Sequence, residues 1–310
     1  MSQANFLSHP VSTLKDEAGR EFHYLLVENP SSPFLVIHFT AFFGDWGDRK
    51  EFKTNYQGYF HRYRMLKDSG YNCLFLCDQF GATKNGTYYT GERGDLFVER
   101  AMNKIIQNVM QKLNISQDHV MTVGSSMGAC GALKFGLLFN VGSILAISPH
   151  IDLDICAAKQ GRELHVTAIC PDGKPYSEEN FKYTRQVSNL LQRWEEGEKL
   201  PTLFLHSCKD DHGVHEEQVL PLLKRWEAHH GTYYFDERET GGHGSDYCTK
   251  AVILDVLKNL CEGSPIDVIK YQKQKKYFPA DQVGFKNVVW IGKVRPALVK
   301  IKKRMESFLK

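Results

Sequence analysis

The sequence has no apolar run long enough to cross a bilayer, and this absence argues against a membrane-spanning protein. No uninterrupted apolar stretch approaches the ~18 residues that a membrane-spanning helix needs. Residues 1–10 have neither the basic start nor the apolar centre of a cleaved signal peptide. We therefore expect a soluble cytoplasmic protein that is not exported through such a signal.

Metal-binding patterns are also missing from the sequence. The eight cysteines form no CxxC pair and stand at no zinc-like spacing from histidine. Several fall within predicted strands or helices, where cysteine usually serves as a small buried apolar residue. We expect free thiols in a reducing compartment, with no structural disulfide and no metal. The sequence has no internal repeat, and its 42% apolar and 24% charged composition is typical of a globular protein.

Positive charge is concentrated at the end of the chain. Residues 262–310 hold 12 Lys/Arg and 4 Asp/Glu, whereas the whole chain has a net charge of only +3. Residues 295–310 also space four apolar side chains as an amphipathic helix would: Leu298, Ile301, Met305 and Phe308. The extension at 263–310 is therefore predicted to pack on the domain, to lie on an anionic inner membrane surface, to contact an anionic glycan, or to dock on a biosynthetic partner. Nucleic acid is not expected as a partner, because no recognition module accompanies the charge.

Strand and helix signals alternate along the rest of the chain. Short apolar runs predict strands at 21–28, 34–40, 71–77, 120–123, 143–148, 202–206 and 232–235. Helical patterns are predicted at 56–67, 95–113, 127–139, 180–196, 216–229 and 245–260. This alternation predicts an α/β fold with a mostly parallel, doubly wound sheet and helices on both faces. Residues 1–262 would form this domain, and residues 149–200, which are long for a crossover, would insert a cap or lid.

Gly124-Ser125-Ser126-Met127-Gly128 is the most informative motif. It lies between a predicted strand and a predicted helix, which is the context of a G-x-S-x-G nucleophile elbow. Small residues on either side let the central serine adopt a strained backbone, and the helix N-terminus favours developing negative charge. Ser126 is therefore the candidate nucleophile.

A nucleophilic serine needs a base, and the base needs a carboxylate that orients it. In doubly wound hydrolases the three follow in the order serine, acid, histidine, each after a strand. His243, set among glycines after the last predicted strand, is the candidate base. Asp210 and Asp211 both follow strand 202–206, so either could be the acid; Val214, three residues on, favours Asp211, and the other aspartate would cap the next helix.

Backbone amides and aromatic side chains complete the predicted site. An oxyanion hole would use the amide of Met127 and that of Ala41 or Phe42, just after strand 34–40. His38, within that strand, is predicted to be a core residue. Three aromatic residues near glycine-containing loops are candidate contacts for a sugar ring, or else pack their loops: Trp46, Tyr88 and Tyr89.

Five separated motifs resemble those of bacterial capsular polysaccharide O-acetyltransferases with an α/β-hydrolase fold. More distantly, they are similar to the glycan-acetylating component of accessory secretion systems. The likeness extends over residues ~35 to ~250. The motifs are Phe39-Thr40-Ala41-Phe42, Gly86-Thr87-Tyr88-Tyr89, Gly124-Ser125-Ser126-Met127-Gly128, Lys209-Asp210-Asp211 and Gly242-His243.

The resemblance implies acetyl transfer from acetyl-CoA to a hydroxyl of a surface polysaccharide. An acetyl-Ser126 intermediate would form, and His243 would move the protons. It also favours Asp211 as the acid. The extension at 263–310 has no counterpart in this resemblance. Two other functions stay open: an esterase or deacetylase that passes the acyl group to water, and a non-catalytic assembly partner in glycan biosynthesis or secretion.

Overall fold

One β-sheet organises the residues that the computed structural model describes, which are 7–42, 60–82, 84, 86–195 and 197–273. Within these residues the sheet has eight strands, in the order β1-β2-β4-β3-β5-β6-β7-β8. β1 and β2 pair antiparallel with each other, and β2 pairs antiparallel with β4. The other pairs are parallel. The strands are Val11–Lys15, Glu21–Val27, Leu35–Phe39, Asn72–Leu76, Val120–Ser125, Ser143–Ile147, Thr202–Cys208 and Tyr233–Arg238.

Helices connect the parallel strands. The α-helices of the described residues, α1 to α10, are Tyr63–Leu66, Phe97–Leu113, Met127–Leu138, Leu153–Lys159, Glu163–Ile169, Phe181–Thr184, Gln186–Gln192, Leu220–Ala228, Lys250–Glu262 and Val268–Gln272. A single π-helical turn, His215–Val219, precedes α8. Short 3₁₀ turns lie at Gln117–His119 and Glu178–Asn180.

The sheet is buried on both faces, as the apolar strand sequences require. Leu35–Phe39 and Ser143–Ile147 are buried along their whole length. One face packs against α2 and α3 in a cluster that includes Phe39, Ile105 and Phe135. The opposite face packs against α1 and α9. The α/β class with a mostly parallel sheet and helices on both faces is therefore confirmed.

The elements differ from the predicted ones at two places: one predicted helix is wrong and one strand was missed. The helix expected at 180–196 is two short helices, because Arg185 leaves the helical conformation at φ −120°. The guanidinium of Arg185 pairs with the carboxylate of Asp154, with Nε 3.0 Å from Oδ1, and lies 3.7 Å from the centre of the Phe181 ring. Strand Val11–Lys15 was not predicted, since its half-exposed edge position leaves it little apolar sequence.

Part of the predicted organisation lies outside the described residues. Of the extension at 263–310 only residues 263–273 are described, so the basic helix at 295–310 and its membrane or partner contacts stay predictions. Trp46 also lies outside the described residues. In the described ranges, none of the helices is both long and apolar enough to cross a membrane.

Candidate active site

Ser126 stands at a sharp turn between β5 and α3. Its backbone has φ 53° and ψ −121°, a conformation that non-glycine residues rarely adopt. Two glycines permit this turn. A Cβ on Gly124 would lie 2.1 Å from the carbonyl oxygen of Gly128, and one on Gly128 would lie 2.2 Å from the carbonyl oxygen of Phe39. The residues around Ser126 are thus small because strand, turn and helix approach each other closely.

The structure brings the three predicted side chains together. Ser126 Oγ lies 2.7 Å from His243 Nε2. The other ring nitrogen of His243, Nδ1, lies 2.8 Å from Asp211 Oδ2. The Asp211 side chain is almost fully buried and that of His243 is 21% exposed, so the imidazole joins a buried carboxylate to an accessible hydroxyl. This is the arrangement in which a carboxylate orients an imidazole that can accept the serine proton.

Asp210 lies on the other side of the histidine loop. Its Oδ2 accepts a hydrogen bond from the backbone N–H of Gly241 at 3.0 Å, and its Oδ1 accepts one from Gly242 at 2.7 Å. The Ser148 hydroxyl donates to the carbonyl of Gly244 at 2.9 Å. Asp210 therefore holds the backbone of the loop, whereas Asp211 contacts the imidazole.

The predicted oxyanion residues lie at the adjoining ends of β3 and α3. Met127 begins α3 and is fully buried. Ala41 and Phe42 follow β3 after one intervening residue and are half-buried. The contact between Gly128 and the Phe39 carbonyl places these two element ends side by side. Backbone amides there could face one oxygen atom, as an oxyanion hole requires.

Tyr88 and Tyr89 are fully buried, which argues against their predicted contact with a sugar ring. Both have positive φ angles, 54° and 58°. The Tyr89 hydroxyl donates to the carbonyl of Thr40 at 2.9 Å. The Asp78 carboxylate accepts hydrogen bonds from the Thr87 hydroxyl and from the backbone N–H groups of Thr87 and Tyr89. The loop of these tyrosines therefore supports the β3 end from within the core.

Burial raises the pKa of Asp78, although its hydrogen bonds act in the opposite direction. The same loop approaches the start of α3 at Gly86, where a Cβ would lie 2.4 Å from the sulfur of Met127. A glycine at this position lets the loop pack against the residue that follows Ser126.

His38 is a core residue, as the sequence predicts. It is fully buried, with its ring centre 5.0 Å from that of His61 and 5.8 Å from that of Phe75. Burial, followed by the charges of His61 and Arg62, lowers the pKa of His38 well below its usual range. His38 is therefore neutral and lies on the sheet face away from α3.

His150 was not singled out by the sequence-based reasoning, yet it touches the base. Its ring stacks on that of His243, with centres 4.6 Å apart and planes at 15°. The Tyr88 hydroxyl lies 3.1 Å from its Nδ1. Burial, and then the charges of His243 and Arg162, lower its pKa well below the usual range. Its place just beyond the carboxyl end of β6 is the signal that could have identified it.

Gln160, at the end of α4, reaches the acid from the segment predicted as a cap. Its Nε2 donates to Asp211 Oδ1 at 3.3 Å and also to the carbonyl of His212. Each carboxylate oxygen of Asp211 thus has a side-chain partner. Among the described residues, no three His, Cys, Asp or Glu side chains are grouped as metal ligands.

Comparison with known protein families finds partial matches to accessory Sec system proteins. Residues 52–164 match the model of the family described as "Accessory Sec system GspB-transporter". An accessory Sec system protein of Streptococcus gordonii is 26% identical over 146 residues. This match covers 47% of this chain and 25% of the relative, so the chain aligns with only a quarter of that protein's length.

Solved structures resemble the chain over most of its length. The capsule O-acetyltransferase of Neisseria meningitidis serogroup A has a TM-score of 0.59 at 19% identity, over 84% of this chain and 97% of that one. The Gap123 glycosylation-associated complex of Streptococcus agalactiae gives 0.58 at 19%, over 82% and 45%. An S-formylglutathione hydrolase of Agrobacterium tumefaciens gives 0.54 at 13%, over 81% and 94%. At these identities the likeness establishes the fold alone, and it confirms that this chain has the α/β-hydrolase fold.

Proposed function

We propose that the protein is a serine-dependent O-acetyltransferase that moves an acetyl group from acetyl-CoA to a hydroxyl of a bacterial surface polysaccharide. The observation that carries the proposal is the relay from Ser126 Oγ through His243 to Asp211, with distances of 2.7 and 2.8 Å. The fold is shared with a capsule O-acetyltransferase, and a related structure of that enzyme contains CoA. These likenesses support the choice of donor and acceptor.

The first half of the reaction would acetylate the enzyme. Ser126 Oγ attacks the thioester carbonyl while His243 Nε2 accepts the hydroxyl proton, and Asp211 stabilises the resulting imidazolium. The amides of Met127 and of Ala41 or Phe42 would stabilise the oxyanion. The carbon–sulfur bond then breaks, and His243 returns the proton to the departing CoA thiolate. Acetyl-Ser126 and free CoA are the products of this half.

The second half would deliver the acetyl group. His243 removes a proton from the acceptor hydroxyl, whose oxygen attacks the acetyl carbonyl. The bond to Ser126 Oγ breaks, and the serine regains its proton from His243. Water in place of the sugar hydroxyl would make the enzyme an esterase or deacetylase, and the likeness to S-formylglutathione hydrolase favours this as the second candidate.

Brief exposure to acetyl-CoA tests the first half. We expect mass spectrometry to find one added acetyl group on the peptide that contains Ser126, and none in the S126A variant. An unmodified peptide, together with unchanged turnover in S126A, would remove this serine from the mechanism.

Adding a polysaccharide acceptor to the same assay distinguishes acetyl transfer from hydrolysis. With de-O-acetylated capsular polysaccharide, CoA release should rise and the polysaccharide should become acetylated. Equal acetate release with and without polysaccharide, and no acetylated product, would instead establish the esterase.

The relatives also motivate a proposal about partners. The Streptococcus gordonii relative is named for an accessory Sec system, and Gap123 is a glycosylation-associated complex. We propose that this chain likewise works beside proteins that build or export a glycan, in the cytoplasm or at the inner face of the membrane. The basic residues of 263–310 are the proposed contact.

A further inference from the structure

Three buried nitrogen atoms without hydrogen-bond partners lie near the proposed acyl site. They are His150 Nε2, Arg162 Nε and His165 Nδ1. A buried polar group left without a partner costs about 1–3 kcal/mol, so such atoms are uncommon in folded proteins. When several occur beside a candidate active site, a bound ligand is a direct way to satisfy them.

Phe42 brings two of these three residues to the end of β3. The guanidinium carbon of Arg162 lies 4.5 Å from the centre of the Phe42 ring. The His165 ring meets the same ring edge-on, with centres 4.4 Å apart. Because Phe42 is one of the two alternative residues for the second oxyanion amide, Arg162 and His165 pack on the side chain of a residue of the proposed acyl site.

His150 adjoins the proposed acyl site from the other direction. Its ring stacks on His243, and the Tyr88 hydroxyl faces its Nδ1. With that hydroxyl donating to Nδ1, the proton of the neutral ring is on Nε2, which then offers a donor. Nε2 of His150 is buried and has no partner of its own.

Arg162 is the cation of this group of three residues. Within the part of the chain that the structure describes, no carboxylate forms an ion pair with Arg162. Its charge reaches the histidines on both sides: burial and then Arg162 lower the pKa of His165, and Arg162 also contributes to the lowered pKa of His150, after burial and His243. A cation without an acidic partner beside neutral donors favours an anionic ligand.

We propose that Arg162, His150 and His165 form a subsite for an anionic group, a carboxylate or phosphate, carried by the acceptor sugar near the hydroxyl that is acetylated. This inference rests on the proposed function. The phosphates of CoA are the alternative source of negative charge. The long pantetheine arm separates them from the thioester, whereas this cluster adjoins the triad imidazole and the β3 end.

Inorganic phosphate is the probe for the first test. Hydrolysis of p-nitrophenyl acetate needs the triad but no anionic substrate. At constant ionic strength, phosphate should inhibit this hydrolysis in the wild type. Arg162→Gln should raise the inhibition constant at least about tenfold, since a charge-assisted hydrogen bond contributes about 1.5–3 kcal/mol. The matched control is Arg193→Gln, an exposed arginine of the same segment, which should behave like the wild type.

Phosphate that inhibits no more than chloride, or that inhibits Arg162→Gln as strongly as the wild type, would overturn the proposal. A comparison of two acetyl donors identifies the source of the anion. S-acetylpantetheine lacks the nucleotide phosphates of acetyl-CoA. Replacing Arg162 should change the KM for these two donors by the same factor. A KM increase confined to acetyl-CoA would assign the subsite to the donor and reject an acceptor subsite.

A second measurement does not depend on catalysis. In the S126A variant, phosphate should raise the midpoint of thermal unfolding, because a ligand that binds only the folded state stabilises it. Adding Arg162→Gln to S126A should remove this increase. An unchanged increase would contradict the subsite. Phosphate stabilisation of S126A that Arg162→Gln removes, combined with a wild-type protein that forms no acetyl-Ser126 from acetyl-CoA, would leave the subsite standing and reject the proposed function.

Discussion

Asp210 and Asp211 show how two identical neighbouring side chains can do different work. The order of serine, acid and histidine could be predicted from the sequence, because each follows a strand. The choice between the two aspartates could not be completed, since it depends on side-chain directions within one loop. In the structure Asp211 faces the imidazole, while Asp210 binds the backbone of Gly241 and Gly242.

Exchanging each aspartate for asparagine separates these two tasks. Asp211→Asn should lower kcat/KM for p-nitrophenyl acetate by about 10³- to 10⁴-fold, because an amide can leave the imidazole in the wrong tautomer. Asp210→Asn keeps an oxygen for one backbone N–H, so we expect a loss of less than about tenfold. Steady-state kinetics of both variants provide the measurement, and a larger loss in Asp210→Asn would exchange the two assignments.

Two features of the site at the residue scale depend on tertiary structure and could not be predicted from the sequence. Tyr88 and Tyr89 stand in a glycine-containing loop, where aromatic residues are often accessible. A carboxylate nine to eleven positions earlier, on Asp78, draws this loop into the core. His150 has no glycines around it, and only the folded sheet places its ring on that of His243.

At the scale of elements, the parallel strands were the most predictable part of the molecule. Each is a short apolar run, because both faces of the sheet are covered. Helices were less predictable where a tertiary contact overrides local preference. Arg185 ends one helix because its side chain binds Asp154 and Phe181, and neither contact can be inferred from helical spacing.

α3 contains a buried cation that its otherwise apolar sequence does not predict. The ammonium of Lys134 lies 2.7 Å from the carboxylate of Glu99 and 2.7 Å from Gln186 Oε1, and donates to the carbonyl of Tyr89 at 2.8 Å. Burial lowers the pKa of Lys134, and Glu99 acts against that shift. This side chain therefore ties the nucleophile helix to α2, to α7 and to the tyrosine loop.

Removing this cation should destabilise the fold. Lys134→Met removes the cation that pairs with Glu99 and leaves this carboxylate only the amide of Gln186, and breaking a buried ion pair in this way costs up to about 3–5 kcal/mol. Urea unfolding of the two variants measures the difference. The control is Lys104→Met, an exposed lysine of α2, which should stay within about 0.5 kcal/mol of the wild type. Equal stability of the two variants would show that the Lys134 contacts contribute nothing net.

For the whole molecule, several histidines are held neutral by burial. Burial, and then the charge of Arg62, lower the pKa of His61 from 6.5 to about 3. The unfolded chain takes up a proton at this residue near pH 6.5, but the folded protein does not until about pH 3. Between these values acidification favours the unfolded state, and the stability that His61 removes grows as the pH falls.

His61→Gln should therefore weaken the acid sensitivity of the protein. Below pH 6.5 the free energy of unfolding should fall less steeply than in the wild type, by up to about 1.4 kcal/mol per pH unit for one histidine. Urea unfolding at a series of pH values measures this slope. His230→Asn changes an exposed histidine with φ 54°, a conformation that asparagine tolerates, and should leave the slope unchanged. If the free energy of unfolding fell equally steeply with pH in His61→Gln and in the wild type, His61 would not be a source of the acid sensitivity.

The contact between Gln160 and Asp211 links the segment after β6 to the proposed catalytic side chains. Gln160, at the end of α4, binds the Asp211 carboxylate oxygen that does not face His243, so this segment contacts the Asp211–His243 pair directly. An outward swing of its α4 end would strip a partner from the carboxylate that orients His243. In the proposed acyltransferase, opening of this segment would therefore also disturb the base, and we expect full activity only with the end of α4 in contact with Asp211.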